Sequence, residues 1–217
     1  HQISGPLLIL AGAGSGKTRA LTFRTANIIL QGEASPEEIL AVTFTNKAAK
    51  EMKNRIVRLL NKYNIPVNEN LMNVSTFHSL CAKILRENIH LLGYQSFFAI
   101  YDDGDQLSMI KKVLNQMSIN EKINPAKAFQ AAINRAKMLG MSPSQVHDAS
   151  DYIMDDMAIE VYDVYEQEMK KANSLDFSDL LVKTYELFTH HPDVLENYQN
   201  LFEYIMIDEY QDTNSIQ

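Results

Sequence analysis

The amino-acid sequence predicts an α/β fold in which a parallel sheet is interrupted by an inserted all-helical subdomain. Short apolar runs of strand length alternate with amphipathic helical segments over roughly the first 90 residues. Helical periodicity then continues almost unbroken from about residue 98 to Leu201. A last apolar run, Tyr204–Ile207, restores the strand pattern. A series of helices between two parts of a strand–helix alternation is typical of a helical insertion into a sheet.

The first strand is predicted at Leu7–Ala11, a continuous apolar run that fits a strand buried on both faces of a parallel sheet. A glycine-rich loop, Ala11–Lys17, follows, and the pattern then predicts a helix over Thr18–Leu30. The tetrapeptide Ser35–Glu38 carries the residues of a helix start. Its serine is a capping residue, proline takes the first helical position, and a glutamate stands three residues after the cap.

The second strand is predicted at Ile39–Phe44 and the second helix at Asn46–Leu60. That helix has an apolar stripe at helical spacing, made of Ala49, Met52, Ile56 and Leu60. A short third strand at Asn73–Ser75 and a third helix at Phe77–Glu87 complete the alternation. Beyond residue 98, helix starts are predicted near Asp105, Pro125, Pro143, Asp156, Asp176 and Pro192.

The composition is that of an ordinary globular protein, with 46% hydrophobic and 22% charged residues among 217. The net charge of −7 argues against a surface coated in basic residues, although a local basic groove needs only a few placed groups. No apolar run approaches the roughly 18 residues of a membrane helix. Since Cys81 is the only cysteine and no signal peptide opens the chain, we expect a reducing, cytoplasmic location without internal disulfides.

The segment Ala11–Thr18 has the pattern of a phosphate-binding loop, with alanine in place of the first glycine. Its glycines let successive backbone N–H groups converge on phosphate oxygens, and the helix that follows directs its positive end at them. Lys17 would contact the terminal phosphates, and the Thr18 hydroxyl would bind Mg²⁺. The residues predicted to bind nucleotide in this loop are Ala11, Gly12, Ala13, Gly14, Ser15, Gly16, Lys17 and Thr18.

A pair of carboxylates, Asp208 and Glu209, ends the last apolar run. The carboxyl edge of a parallel sheet is where such folds bind ligands, so we expect both side chains beside the phosphate-binding loop. Asp208 would hold Mg²⁺ through water, and Glu209 would orient and deprotonate the attacking water. A glycine-rich turn without a ligand and an acidic strand end that merely caps a turn are the alternative interpretations.

Further motifs occur along the chain in a fixed order and resemble those of the UvrD/PcrA/Rep group of superfamily 1 DNA helicases. They are motif I (Ala11–Thr18 with Arg19), motif Ia (Thr43–Ala49), motif Ib (Ser75–Ser79), motif Id (Leu175–Leu180) and motif II (Asp208–Asp212). The resemblance runs nearly end to end. It implies a RecA-like ATP-binding domain 1A over residues 1–97 and 173–217, with a helical subdomain 1B inserted at 98–172.

The resemblance also implies roles for individual residues. Arg19 and Gln211 would contact the nucleotide, and single-stranded DNA would be bound by Phe44, Thr45, Asn46, Thr76, His78 and Phe177. An aromatic ring can stack on a base without sequence preference. Each role has an ordinary structural alternative: a core position for Phe44, a capping or core histidine for His78, a helix staple for Phe177, and a solvated helix residue for Arg19.

The resemblance implies an ATP- and Mg²⁺-dependent, 3′-to-5′ translocase and helicase of DNA repair or replication. It would act on single-stranded DNA and on junctions with duplex. We expect the chain to lack the C-terminal helicase domains, and therefore the arginines that reach the γ-phosphate, so that alone it should not unwind DNA. The alternatives are the motor of a helicase–nuclease, a nucleotide- and DNA-binding module without turnover, and a P-loop ATPase that acts on protein.

Overall fold

The computed structural model describes residues 5–10, 12, 16–148 and 154–217. The chain divides into two compact units, with unit 1 made of His1–Leu80 and Leu195–Thr213 and unit 2 made of Cys81–Val194 and Asn214–Gln217. The described helices are α1 (Lys17–Leu30), α2 (Asn46–Lys62), α3 (Phe77–Asn88), α4 (Asp103–Gln116), α5 (Ala126–Met138), α6 (Pro143–Asp148), α7 (Asp156–Lys171), α8 (Phe177–His190) and α9 (Pro192–Leu201). The described strands are β1 (Ile39–Thr43), β2 (Asn73–Thr76), β3 (Ala99–Tyr101), β4 (Ser174–Asp176) and β5 (Tyr204–Ile207).

Unit 1 contains a parallel sheet with strand order β2-β1-β5. The central strand β1 pairs with both neighbours, so that Ala41 lies opposite Val74 on one side and Met206 on the other. All five residues of β1 are buried, as expected of a strand covered on both faces. The predicted parallel sheet and its strands at 39–44, 73–75 and 204–207 are therefore confirmed, with ends that differ by a residue or less.

Helix α2 shows why these segments form unit 1. Its predicted stripe of Ala49, Met52, Ile56 and Leu60 is entirely buried, and fully burying one large aliphatic side chain stabilises a fold by about 1.5–3 kcal/mol. Met52, Ile56 and Leu60 of this stripe join residues of α1, β1 and β5 in one hydrophobic core. Thr45 caps the helix by accepting a hydrogen bond of 3.1 Å from the Ala48 N–H.

Unit 2 is mainly helical. Side chains from α4, α5, α6 and α7 share a hydrophobic core that includes Ile110, Ile133, Val161 and Tyr165, each fully buried. The helix starts predicted near Asp105, Pro125, Pro143, Asp156, Asp176 and Pro192 are confirmed to within two residues. None of the helices that the structure describes is long and apolar enough to cross a membrane.

The predicted strand at Leu7–Ala11 is wrong over its described part. Residues 6–10 have no regular secondary structure. Leu7, Leu8, Ile9 and Leu10 are 48%, 65%, 45% and 86% exposed. The physical reason is that this run pairs with none of the described strands, so no sheet covers its faces. Ala11 lies outside the described residues.

The predicted helix start at Ser35–Glu38 is also wrong, because β1 begins at the next residue and leaves no room for a helix. The capping residues close a single turn instead. The Ser35 N–H donates to the Glu38 carboxylate at 2.7 Å, and the Glu38 N–H donates to the Ser35 carbonyl at 3.1 Å. The hydrogen bond from the Ser35 N–H, and after it the Ser35 side chain, lower the pKa of the Glu38 carboxyl.

Unit 2 also holds two strands that the sequence pattern did not predict. β3 and β4 pair in parallel, with Tyr101 opposite Asp176. Each strand is only three residues long, which is too short to display the two-residue periodicity of a strand. The pair places Asp176 directly before α8.

Candidate functional site

The predicted phosphate-binding loop leads into α1 through Gly16, whose φ of 94° lies in the left-handed region that L side chains rarely adopt. Among the residues that the structure describes, no side chain caps this end of α1. The first turn of an α-helix presents backbone N–H groups and a partial positive charge, which favours an anion. Gly12 is also described, whereas Ala11, Ala13, Gly14 and Ser15, all predicted to bind nucleotide, lie outside the described residues.

Thr18 and Asp208 meet at the carboxyl edge of the sheet. The Thr18 hydroxyl donates a hydrogen bond of 2.7 Å to Oδ2 of Asp208. Asp208 is 5% exposed. Its backbone N–H donates to the Val42 carbonyl at 2.9 Å, which extends the pairing of β5 with β1 by one residue. Its Oδ1 accepts from the Glu209 N–H at 3.1 Å. The two predicted Mg²⁺ ligands are thus adjacent.

Lys17 and Glu209 form the second pair, with 3.1 Å between Nζ and Oε2. Glu209 has a φ of 51°, an uncommon left-handed conformation for a residue other than glycine, directly after Asp208. Its Oε2 also accepts a hydrogen bond of 2.6 Å from Nε2 of Gln211. The Gln211 amide and the Lys17 ammonium lower the pKa of the Glu209 carboxyl. Glu209 is therefore ionised at neutral pH.

The Thr18 hydroxyl and the Asp208 carboxylate offer oxygen atoms, which suit a hard divalent cation. Mg²⁺ prefers oxygen ligands at about 2.0–2.1 Å and is usually held by one or two carboxylates together with substrate phosphates. The hydrogen bond of 2.7 Å between Thr18 and Asp208 brings both groups to one place, where the Thr18 hydroxyl could bind such an ion directly and Asp208 could bind it through a water. Within the described residues, no group of three or more His, Cys, Asp or Glu side chains is arranged to hold a metal ion.

Arg19 follows these residues on the first turn of α1. Its guanidinium lies 5.4 Å from the centroid of the Phe23 ring, within the range of a cation–π contact. Both side chains are substantially exposed. The predicted contact of Arg19 with nucleotide stays a prediction, as does that of Gln211, whose amide here orients Glu209.

The loop after β1 presents Phe44, which is 37% exposed. Its ring packs edge-to-face against Phe77, with 6.2 Å between centroids and an interplanar angle of 70°. Phe44 is therefore not a buried core residue, which was the alternative interpretation, since more than a third of it is exposed to solvent. Phe77 is a partner that sequence reasoning missed. The signal was available, because parallel strands end at one edge and Phe77 directly follows β2.

Asn46, Thr76 and Ser79 form a hydrogen-bonded group between the ends of β1 and β2. Thr76 donates to Ser79 Oγ at 2.9 Å, and Ser79 donates to Asn46 Oδ1 at 3.3 Å. The Ser79 N–H returns a hydrogen bond of 3.2 Å to Thr76 Oγ1. The Thr45 hydroxyl is engaged in capping α2. Asn46 and Thr76, which were predicted to contact DNA, thus lie in one hydrogen-bonded group. Ser79 belongs to the same group but was not predicted as a site residue.

His78 lies half-buried on the first turn of α3. Burial lowers the pKa of its imidazole, so the ring is neutral at neutral pH. It can contact a phosphate by hydrogen bonding but not as a cation. The role that we predicted for it is compatible with this state.

Phe177 belongs to unit 2 and is the first residue of α8. Its side chain is 53% exposed, whereas its neighbour Asp176 is almost fully buried. A small cavity of about 30 Å³ beside it is lined in part by Asp102 and Asp103. Because these carboxylates repel phosphates, the ring itself is the group that this position offers to a nucleic acid.

Comparison with known proteins agrees with this geometry. The whole chain, residues 1–217, matches the family model described as "UvrD/REP helicase N-terminal domain". It is 45% identical over 216 residues to a probable DNA helicase II homolog of Rickettsia felis, covering 98% of this chain and 32% of that protein. It is 44% identical to the ATP-dependent DNA helicase PcrA of Staphylococcus aureus over 214 residues. Identity to PcrA of Bacillus subtilis is 43% over 213 residues.

Each PcrA match covers 98% of this chain and 28% of the relative. The chain therefore spans roughly a third or less of the length of the relatives it matches. The match extends over both units and includes every motif on which the resemblance was based. The chain belongs to the UvrD/REP helicase family and corresponds to its N-terminal domain.

Proposed function

We propose that this chain is the nucleotide-binding part of an ATP-driven DNA helicase that moves 3′-to-5′ along single-stranded DNA in the cytoplasm during repair or replication. The relatives described as ATP-dependent DNA helicases support the class of activity. The observation that carries the proposal for this chain is the pairing of Thr18 with Asp208 and of Lys17 with Glu209 at one edge of the sheet.

The proposed domain organisation follows the family resemblance. A RecA-like domain 1A comprises residues 1–97 and 173–217, and the helical subdomain 1B comprises 98–172. Support for an α/β domain with a helical part comes from the parallel sheet in unit 1 and the helical core of unit 2. The moving partner of this motor is the remainder of the helicase, which would supply further groups to the γ-phosphate.

ATP binding would exchange the partners of Lys17. In the structure, the Lys17 ammonium lies 3.1 Å from the Glu209 carboxylate. With nucleotide, we propose that Lys17 turns to the terminal phosphates, where its charge is most favourable. Glu209 then loses one of the two contacts that lower its pKa. Its pKa rises towards the ordinary range, which makes the carboxylate a better acceptor of a proton from water.

Thr18 and Asp208 would hold Mg²⁺, which neutralises charge on the phosphates and stabilises the charge that develops during phosphoryl transfer. Gln211 keeps Glu209 in place through its 2.6 Å hydrogen bond while Lys17 is engaged elsewhere. Asp208 stays fixed through its backbone pairing with Val42. Asp208, which would bind the cation, and Glu209, which would accept the proton, are thus held in place by different contacts.

Single-stranded DNA would lie across the ends of β1 and β2. Phe44 offers a partly open ring for base stacking, and the group of Asn46, Thr76 and Ser79 offers polar contacts to phosphates. His78 and Thr45 would add contacts nearby. Phe177 in unit 2 offers a second ring.

This proposal predicts that the chain binds both a fluorescent ATP analogue with Mg²⁺ and a labelled oligothymidylate. If the chain binds the ATP analogue but not the oligothymidylate, the ATP-binding role stands and the proposed helicase function is contradicted. The absence of both would contradict the proposal altogether.

A further inference from the structure

Asp176 and Asp179 at the start of α8 form a reciprocal capping box. Oδ1 of Asp176 accepts from the Asp179 N–H at 2.9 Å, and Oδ2 of Asp179 accepts from the Asp176 N–H at 3.0 Å. Both aspartates are nearly completely buried, at 1% and 2% exposure. Buried aspartates are rare unless they are paired, so these two require further partners.

Those partners come from the helical core of unit 2. Lys137 of α5 is 1% exposed and donates to Oδ2 of Asp176 at 2.8 Å and to Oδ1 of Asp179 at 2.6 Å. Oδ2 of Asp176 also accepts from the Tyr165 hydroxyl at 2.8 Å and from Nε2 of Gln106 at 3.1 Å. The Asp176 carboxylate therefore accepts hydrogen bonds from α4, α5 and α7 and connects these helices to the start of α8.

The charge balance argues that this cluster has a purpose other than stability. Nζ of Lys137 lies 2.6 Å from Oε1 of Glu166 as well, so its ammonium contacts three carboxylates, and only Glu166 has a second ammonium nearby among the described residues, Lys183 at 3.9 Å. Burying such an ion cluster is commonly no better for stability than apolar packing, because desolvation offsets the attraction. What the cluster does provide is a fixed geometry for the residues it holds.

Phe177 is the residue that this geometry fixes. It lies directly after Asp176 and two residues before Asp179, so buried anchors stand on both sides of an exposed ring. The strand pairing of Asp176 with Tyr101 adds a third constraint. A ring held in advance loses less conformational entropy when it meets a ligand, which increases affinity.

We propose that Lys137 is a positioning residue that holds Phe177 in the orientation required for stacking on a base of single-stranded DNA. This inference rests on the proposed function, since it names the group that prepares one of its DNA contacts. Lys137 itself is buried and touches no phosphate. Tyr165 acts in the same way through its hydrogen bond to Asp176.

The test measures the affinity of the complete chain for a fluorescein-labelled oligothymidylate over a series of salt concentrations. Phe177→Ala should weaken binding roughly 5- to 150-fold, the range expected for one stacked base. Lys137→Met keeps the length of the side chain and should weaken binding to a similar or smaller extent. Tyr165→Phe should give a smaller loss. The exposed Lys112→Met serves as the matched control and should bind like the wild type.

Two readouts separate positioning from a general structural effect. The double variant Lys137→Met/Phe177→Ala should bind no worse than Phe177→Ala alone, because the ring that Lys137 positions is already absent. The dependence of affinity on salt should keep its wild-type slope in Lys137→Met, whereas loss of a phosphate contact would reduce the slope by about 1. Circular dichroism establishes that each variant is folded. If Lys137→Met does not fold, Tyr165→Phe and its double variant with Phe177→Ala decide.

Several results would overturn the inference. Additive losses in the double variant, a reduced salt slope, or wild-type binding by both Lys137→Met and Tyr165→Phe would each remove the positioning role. Wild-type binding by Phe177→Ala would remove the contact that Lys137 is said to prepare, while leaving the proposed function standing. If the wild-type chain bound no oligothymidylate, the proposed function would fail first.

Discussion

The hydroxyl of Thr18 and the carboxylate of Asp208 lie 2.7 Å apart although 190 residues separate them in the chain. Thr18 lies on the first turn of α1, after the glycine-rich loop, and Asp208 directly follows β5, which pairs with the central strand β1. The contact exists because the parallel pairing of β5 with β1 brings Asp208 to this edge, while the packing of α1 in the core of unit 1 holds Thr18 beside it. It is the structural basis for our proposal of a nucleotide site with a divalent cation at this edge.

Lys17→Ala should lower the affinity for MgATP by roughly 10- to 150-fold, since a hydrogen bond to a charged group contributes about 1.5–3 kcal/mol. Titration of a fluorescent ATP analogue measures the effect. Lys62→Ala, an exposed lysine at the end of α2, is the matched control. Tight binding by Lys17→Ala would show that this lysine does not contact the phosphates.

Glu209→Gln should retain nucleotide binding but lose turnover by about 10²–10⁴-fold, the usual contribution of a positioned base. The amide preserves the shape of the side chain while removing its capacity to accept a proton. Both quantities are to be measured in the full-length helicase, with the exposed Glu203→Gln as control. Turnover at the wild-type rate would exclude Glu209 as the base.

Phe44→Ala should weaken binding of single-stranded DNA by about 1–3 kcal/mol if a base stacks on the ring. The effect should be equal for oligothymidylate and oligocytidylate, because stacking has little sequence preference. Tyr63→Ala, which removes a ring that is 65% exposed in the same unit, is the control. Unchanged affinity in Phe44→Ala would mean that this ring serves packing against Phe77 alone.

The stability of unit 2 should depend on pH through Asp179. Burial and the carboxylates of Asp176 and Glu166 raise the pKa of Asp179 from its ordinary 3.8 to about 7, despite the opposing charge of Lys137. The folded state therefore binds this proton more tightly than the unfolded state, and stability falls as pH rises from about 4 to 7. The slope for one proton is at most about 1.4 kcal/mol per pH unit.

Asp179→Asn should flatten that slope, since the amide cannot ionise. Urea unfolding at several pH values measures it, and Asp163→Asn on the exposed face of α7 should keep the wild-type slope. Burial also acts to raise the pKa of Asp176, but there the effect of the Lys137 ammonium is larger and the pKa is lowered. The contribution of Asp176 is therefore lost below about pH 4, in a separate range. Equal slopes in wild type and Asp179→Asn would contradict this assignment.

The sequence predicted the helices well because their starts carry physical signals. Asp102, Asp155 and Asp176 each accept backbone N–H bonds as helix caps, and aspartate is among the preferred capping residues. The contacts between the loops after β1 and β2 were also predictable in kind. Thr43 and Thr76 are opposite each other in the register, so the residues that follow must meet.

The rest could not be predicted because it depends on tertiary partners. An apolar run such as Leu7–Leu10 becomes a buried strand only if a sheet receives it, and the described strands do not. Lys137 falls in a helix whose pattern gives no reason to expect a buried charge. Its burial follows from Asp176 and Asp179, which are 39 and 42 residues away. The sequence identified Asp176 as a cap but not as the centre of an ion cluster.

The most direct test of the account is the steady-state ATPase rate of the full-length helicase with and without single-stranded DNA, measured beside this chain. We predict strong stimulation by DNA in the full-length protein. The chain alone should hydrolyse ATP far more slowly, since transition-state arginines supplied from elsewhere typically contribute 10³–10⁵ in rate. A full-length protein whose ATPase rate is indifferent to single-stranded DNA would contradict the proposed function.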